Sequence, residues 1–437
     1  MSGVWKQLGR LLSIRFAAIG LTFLQTLVMT RLIGRETFGS LSFALSVSAL
    51  AVLVLSIGLD QLMMRDVARS GLEGFARSGR WLALRRLIGR WQVPLVLGLA
   101  VGFGALFLGS GLGGGYGLAL AGVALALPLV LGRKYVESVA LGAKLVGRSI
   151  LGSQIAYPVL MILGTLAIWG LGVVDLRNVM LVYGLAIGSS LLVSILLIWP
   201  VLQRLARQTP RDGSSEGEIP GAAELLRSGW HFSLISLGFV LGQHMDVLLT
   251  GVFAGPDQVA LVRVASRVAE MAGLVRAIVI LQYKPQLAEA FGRGDLERVR
   301  KITRLMVAIF VVTGLPITLG LWIWPREAMS VFGAAFAEGA WAMRIYVLGV
   351  LFVLLAGPCN SVLSMIGEER WAARAVWMAL AVNLGLDLLL IPAYGALGCA
   401  IANACSMLVI AGVSVAVAWR KHRVNTTITC WLNGGSR

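Results

Sequence analysis

The sequence predicts an all-α integral membrane fold: about 12 transmembrane helices in two pseudo-symmetric six-helix lobes around a central cavity. Three observations predict it. The chain is very apolar, its apolar stretches have the length of a bilayer crossing, and its positive charge falls in alternate gaps between them. With 58% hydrophobic residues and a mean hydropathy of +0.84, 437 residues carry too little polar cover for a soluble protein.

The charge pattern orients the chain. Basic gaps hold Lys6, Arg10 and Arg15; Arg65, Arg69, Arg77, Arg80, Arg85, Arg86 and Arg90; and Arg133, Lys134, Lys144 and Arg148. They continue with Arg204, Arg207, Arg211 and Arg227; Lys284, Arg293, Arg298, Arg300, Lys301 and Arg304; Arg370 and Arg374; and Arg420, Lys421, Arg423 and Arg437. The intervening gaps hold only Arg31, Arg35, Arg177 and Arg326. Positive residues near span ends stay cytoplasmic, so both termini are expected in the cytoplasm. A net charge of +17 would suit nucleic acid if gathered on one face of a soluble fold, but here it is spread over short loops. No nucleic-acid partner is expected; attraction to anionic membrane lipids accounts for the charge.

Spans of roughly 20 apolar residues are expected at 12–33, 40–62, 91–112, 116–136, 152–172 and 178–200, then at 229–253, 258–281, 305–325, 340–366, 373–391 and 395–419. The run from Leu11 is too long for a signal-peptide core and no small-residue cleavage site follows, so it is read as the first span. The one extended hydrophilic stretch divides the chain into an N-terminal lobe (1–200), a cytoplasmic linker (201–224), a C-terminal lobe (225–419) and a cytoplasmic tail (420–437). A weak internal repeat agrees: Thr30, Leu41, Ser46 and Ala49 align without a gap with Thr250, Leu261, Ser266 and Ala269. Six spans per lobe, both starting inside, make parallel repeats, a geometry suited to alternating access.

Two cytoplasmic segments, 74–90 and 282–304, mix apolar and basic residues at matching places in the lobes. Each reads equally well as an amphipathic helix in the headgroup layer or as a helical hairpin extending beyond it. Pro158, Pro316 and Pro358 are expected to kink or interrupt helices. Cys359, Cys399, Cys405 and Cys430 show no metal-ligand spacing and read as unpaired small hydrophobes.

Ionisable groups inside a bilayer cost roughly 2.5–3.5 kcal/mol each, so each calls for a partner or a wet cavity. The densest cluster is Arg263, Arg267, Glu270 and Arg276 in the expected eighth span. Arg263 and Arg267 share a helix face, with Glu270 a turn further on and Asp246 at similar depth on the preceding span. One reading has Arg263 and Arg267 binding an anionic headgroup, for which the planar guanidinium is suited. The other is internal pairing, Asp246 with Arg263 or Arg267 with Glu270. Arg31 and Arg35, basic residues at the outer end of the first span, are either an external anion site or interface anchors. Asp387 is a candidate ion-coupling group beside Asp246 and Glu270, or a residue that snorkels to the surface together with Arg344. Asp60 and Glu137, near cytoplasmic ends, are read as interfacial. No nucleophile–base set, metal-ligand spacing or phosphate loop is present, so neither an enzyme, a catalytic residue, a cofactor nor a metal is expected.

Three stretches resemble the polysaccharide (oligosaccharide–lipid) flippase family of the multidrug/oligosaccharidyl-lipid/polysaccharide exporter superfamily. Arg31-Leu32-Ile33-Gly34-Arg35-Glu36-Thr37-Phe38-Gly39-Ser40-Leu41 is similar to the family's R-L-L-G-P-E-x-Y-G-x-Y turn. The stretch from Phe253-Ala254-Gly255-Pro256-Asp257 to Pro285-Gln286-Leu287-Ala288-Glu289-Ala290 resembles the corresponding turn and helix exit in the second lobe. Asn383 through Ile391-Pro392-Ala393-Tyr394-Gly395-Ala396-Leu397-Gly398-Cys399-Ala400 resembles L-I-P-x-Y-G-x-x-G-A-A. Phe38 and Leu261 stand where tyrosines are usual, Cys399 where alanine is, and Asp387 where Asn or an apolar residue is.

The resemblance implies a flippase carrying an undecaprenyl-diphosphate-linked oligosaccharide from the cytoplasmic to the outer leaflet of a bacterial inner membrane, for O-antigen, capsule or exopolysaccharide synthesis. It implies basic lumen residues on the diphosphate. Its expected partners are the lipid-linked oligosaccharide, membrane lipids, a polysaccharide polymerase and glycosyltransferases. Two alternatives are weighed against it. A multidrug antiporter of the same superfamily typically uses an acidic residue in the first span, and 12–30 contains none. A non-transporting scaffold of a glycan assembly complex would leave the intramembrane charges without work.

Overall fold

The computed structural model describes residues 2–109, 115–208 and 220–431. Residues 110–114, which include most of the external connection expected at 113–115, the middle of the linker with Arg211, and the tail end with Arg437 lie outside the described residues, as do the side chains of Lys6 and Arg10. Every regular element among the described residues is a helix. Eleven helices are long and apolar enough to cross a membrane.

Contacts group into two compact units, Met1–His244 and Met245–Arg437. The first contains α1 (Ser2–Ile33), α2 (Arg35–Ser56), α3 (Leu59–Arg77), α4 (Gly79–Leu87), α5 (Val93–Gly109), α6 (Tyr116–Gly142), α7 (Val146–Ile150), α8 (Ala156–Gly170) and α9 (Leu176–Gln208). α10 (Ala222–Phe253) begins in the first unit and ends in the second. The second continues with α11 (Pro256–Gly292), α12 (Leu296–Ile309), α13 (Leu315–Ile323), α14 (Pro325–Ser330), α15 (Ala340–Leu355), α16 (Cys359–Met365), α17 (Glu369–Tyr394) and α18 (Ala396–His422). The division of contacts therefore falls inside one continuous helix, beyond the hydrophilic linker. The first half of α10 carries Leu225 into the cluster of Leu59, Leu62, Val67 and Phe75, while its second half carries Asp246 to α15, α17 and α18.

The expected eighth span is α11. It is 37 residues long, about 55 Å at helical rise, and still too polar to count among the eleven apolar crossings. Its charges are the reason.

Three wide π-turns each lie just before a proline, two of them where kinks are expected, at Pro158 and Pro316, and one at Pro94. Ile88–Gln92 precedes Pro94, Leu151–Ile155 precedes Pro158, and Phe310–Gly314 precedes Pro316. Proline lacks an N–H and its ring presses on the preceding turn, so that turn widens. The first and third of these occupy the same place in the two halves of the chain, just after α4 and α12. Pro358 instead ends a helix: the expected span at 340–366 breaks after Leu355, and Gly357 adopts φ 72° before the short α16.

The segments at 74–90 and 282–304 form hairpin extensions whose apolar sides are covered by protein. Phe75 and Leu84 are buried with Leu59, Val139 and Leu205; Leu287 and Val299 are buried with Phe310, Leu363 and Val424. Arg85, Arg86, Arg293 and Arg298 stay exposed on the opposite side. In both units an apolar cluster gathers at the basic ends of the helices.

Candidate functional site

Asp246 lies on the last turns of α10, and α17 and α18 bring amides to it. Asn383 and Asp387, four residues apart on α17, share one face; Asn403 lies on α18. Asn383 Nδ2 donates to Asp246 Oδ1 at 3.2 Å and to Asp387 Oδ2 at 2.6 Å. Asn403 Nδ2 donates to Asp246 Oδ2 at 3.2 Å, and the Tyr346 hydroxyl of α15 reaches the same oxygen at 3.5 Å. Tyr346 Oη also lies 3.1 Å from Cys399 Sγ. Asp387 and Cys399 are fully buried, and one ligand atom from each of Asp246, Asp387 and Cys399 fits within 4.8 Å.

Among the described residues no lysine, arginine or histidine pairs with either carboxylate. Asp387 Oδ1 and Asn403 Oδ1 are buried acceptors without a donor. Two carboxylates and two orphaned oxygens in a low-dielectric interior require a positive charge, because each unsatisfied acceptor costs about 1–3 kcal/mol. A proton shared by the acids, or a hard monovalent cation on their oxygens, fits this donor set. One thiol and three or four oxygens suit neither a zinc site nor a six- to eight-oxygen calcium site.

The first unit handles its buried acid differently. Asp60, 2% exposed, has a built-in cation in Lys134, 3.3 Å away, which also donates to Ser56. Glu137 accepts from Ser153, whose carbonyl accepts from Arg133. Asp60 and Glu137 are thus each tied into a polar network that brings its own cation, with Asp60 buried and Glu137 half-buried.

A cavity of about 380 Å³ adjoins the diacid within the second unit. Its wall includes Ser266, Glu270 and Arg276 of α11 together with Tyr346 and Asn403. Tyr346 and Asn403 thus contact Asp246 and also line the cavity. The Nε of Arg276 is buried without a partner.

The structure separates the residues that the sequence grouped. Asp246 and Asp387 come together, and burial in this cluster overturns the snorkelling of Asp387 to the surface. Glu270 stays on α11 and accepts from Arg267 at 2.8 Å, the internal pairing weighed from sequence. Arg263 lies on the same helix, half-buried. Arg31 ends α1 and Arg35 begins α2 across Gly34, both in the first unit. Arg344 is held between the rings of Trp322 and Trp341 at 5.6 and 5.0 Å. Sequence reasoning missed Asn403 and Tyr346 and gave Arg276 no role. The four-residue spacing of Asn383 and Asp387 was the one signal that could have flagged the amides.

A model of the family described as polysaccharide biosynthesis protein matches residues 4–282, well over half the chain. The chain belongs to this family. A second model, described as lipid II flippase MurJ, matches residues 150–432. Its eleven long apolar helices make this member of the family a multi-pass membrane protein. Among curated relatives, the probable low-salt glycan biosynthesis flippase Agl15 of Haloferax volcanii is 23% identical over 175 residues, 40% of this chain and 37% of that protein. The uncharacterized membrane protein YabM of Bacillus subtilis is 27% identical over 131 residues, 30% of this chain and 24% of that one. These alignments thus span well under half the length of either relative. In fold, the chain is similar to an inward-facing multidrug resistance MATE family transporter of the MOP superfamily, with TM-score 0.66, 15% identity, and 95% and 96% of the two chains covered. It is also similar to the lipid II flippase MurJ in an inward closed conformation, with TM-score 0.63, 12% identity, and 93% and 87% covered.

Proposed function

We propose that this family member is a cation-coupled flippase for a lipid-linked glycan. It carries an undecaprenyl-diphosphate-linked oligosaccharide from the cytoplasmic to the outer leaflet by alternating access, for O-antigen, capsule or exopolysaccharide synthesis. The observation that carries the reading is α11: a membrane-length helix too charged for lipid, whose Glu270 and Arg276 line a cavity that Tyr346 and Asn403 connect to an uncompensated diacid. A charged glycan needs a polar path, and without an ATPase motif net flux needs an ion gradient or removal of product. Asp246 and Asp387 would take the proton or monovalent cation; Arg263, Arg267 and Arg276, with Arg31 and Arg35, would engage diphosphate or acidic sugars.

In this reading both termini face the cytoplasm of a bacterial inner membrane. Residues 1–200 and 225–419 act as the two lobes, joined by 201–224, and 420–437 is the cytoplasmic tail. A polymerase and glycosyltransferases are the working partners. The full chain in proteoliposomes, given a fluorescent polyprenyl-diphosphate oligosaccharide, should flip it faster under an imposed proton or sodium gradient. Flipping that ignores both gradients and survives Asp246→Asn with Asp387→Asn would reject the coupling. No flipping of any such lipid would reject the substrate class.

A further inference from the structure

The seam between α6 and α9 in the first unit carries a groove of about 360 Å³ that the flippase reading does not use. Small residues hollow it: Ala121, Gly122 and Ala126 on α6 and Gly184 on α9. Exposed leucines stand along it, Leu125 at 53%, Leu181 at 58% and Leu185 at 71%. From Leu118 to Leu129 its wall runs about 16 Å along the helix, close to half of a hydrocarbon core of about 30 Å. The groove therefore has the depth of one leaflet.

Its lining holds a single charge. Arg177 stands at one end, in the first turn of α9. This end is poor in basic residues; Arg204 and Arg207 lie at the other end of the helix. Arg177 is exposed and has no ion-pair or hydrogen-bond partner among the described residues. Asp175, two residues back, instead accepts from the backbone N–H of Asn178 and caps the helix. An unpaired guanidinium at headgroup level, above an apolar slot one leaflet deep, has the shape and charge complementary to an anionic lipid.

We propose that this groove holds one acyl chain of an anionic phospholipid from the leaflet at the Arg177 end, with the lipid phosphate on the Arg177 guanidinium. The site is separate from the Asp246–Asp387 cluster and does not depend on what the protein transports.

Native mass spectrometry of the full-length protein, loaded with equimolar phosphatidylglycerol and phosphatidylcholine of identical chains, tests this. The wild type should retain phosphatidylglycerol in preference by about fivefold, because both lipids carry the phosphate and only the net negative charge, worth about 1 kcal/mol at one basic residue, separates them. Arg177→Gln should abolish the preference and Arg177→Lys keep most of it. A Cβ added at Gly184 meets nothing within 4 Å, so Gly184→Leu should extend into the groove and lower retention of both lipids. Gly184→Ala is the milder filler if the leucine variant melts early. An unchanged lipid ratio in Arg177→Gln would overturn the headgroup assignment. Undiminished retention in a folded Gly184 variant would overturn the chain assignment, and either result sinks the proposal.

Discussion

Asn403 donates its amide hydrogen to Asp246 at 3.2 Å while its own amide oxygen is buried without a donor. An asparagine placed this way presents one more acceptor to the space where a cation would neutralise the acids. It also lines the neighbouring cavity, so one side chain bridges Asp246 and that space.

Cation binding should be visible as stability. A ligand held only by the folded state at a hundredfold excess over its Kd adds about 2.7 kcal/mol, a few degrees in Tm. Thermal melts of the protein in nanodiscs should rise with sodium or with acidification. Asp387→Asn, which removes one of two facing carboxylates, should flatten that response without lowering the basal Tm. A full response retained by Asp246→Asn with Asp387→Asn would place the cation elsewhere.

Arg276 and Arg267 should differ. Arg267 shares an exposed pair with Glu270, an arrangement worth about 0–1 kcal/mol, so Glu270→Gln should hardly move the melting curve. Arg276→Gln, at the cavity wall, should sharply reduce flipping at normal membrane abundance, with Arg276→Lys restoring part of it. Equal flipping by wild type and Arg276→Gln would remove this arginine from the substrate path.

At the C-terminal end of α18, Lys421 reaches both oxygens of Glu368 at 2.9 and 2.8 Å, and His422 lies at 3.4 Å while stacking edge-on against Phe291. The hydrogen bond from Lys421, opposed by some desolvation and aided by His422, holds the Glu368 carboxyl below its ordinary range. A depressed folded-state pKa means stability present above the unfolded value of about 4.3 and lost as pH falls through the folded one. Wild type should therefore melt above Glu368→Gln at neutral pH, and the two curves should converge below about pH 4. A gap that persists in acid would show that the glutamine acts through packing, not charge.

Packing of the Leu151–Ile155 π-turn on α9 depends on Gly152. A Cβ there would collide with Ser194, and the closeness lets Ser190 donate to the Gly152 carbonyl at 2.8 Å, inside the π-turn where that carbonyl lacks its usual helical partner. Gly152→Ala should destabilise by about 1–3 kcal/mol. Gly188→Ala, whose Cβ would meet Leu129 at an ordinary 3.7 Å, should be neutral or slightly stabilising by helix propensity. Equal melts for the two variants would contradict the packing seen here.

The sequence by itself determined the membrane class, the helix count, the charged eighth span and the family. Apolar length and alternating basic loops answer directly to the bilayer, and the Gly34, Gly255 and Gly395 turns answer to local backbone geometry, each with positive φ. Tertiary structure alone decided three things. It placed the division of contacts within α10, because a continuous helix can pack its two halves on different neighbours. It set Phe75, Leu84, Leu287 and Val299 against protein instead of headgroups, which periodicity cannot distinguish, since both environments accept the same apolar face. And it assembled Asp246, Tyr346, Asn383, Asp387 and Asn403 from four helices, a site whose members are far apart in the chain and meet only through packing.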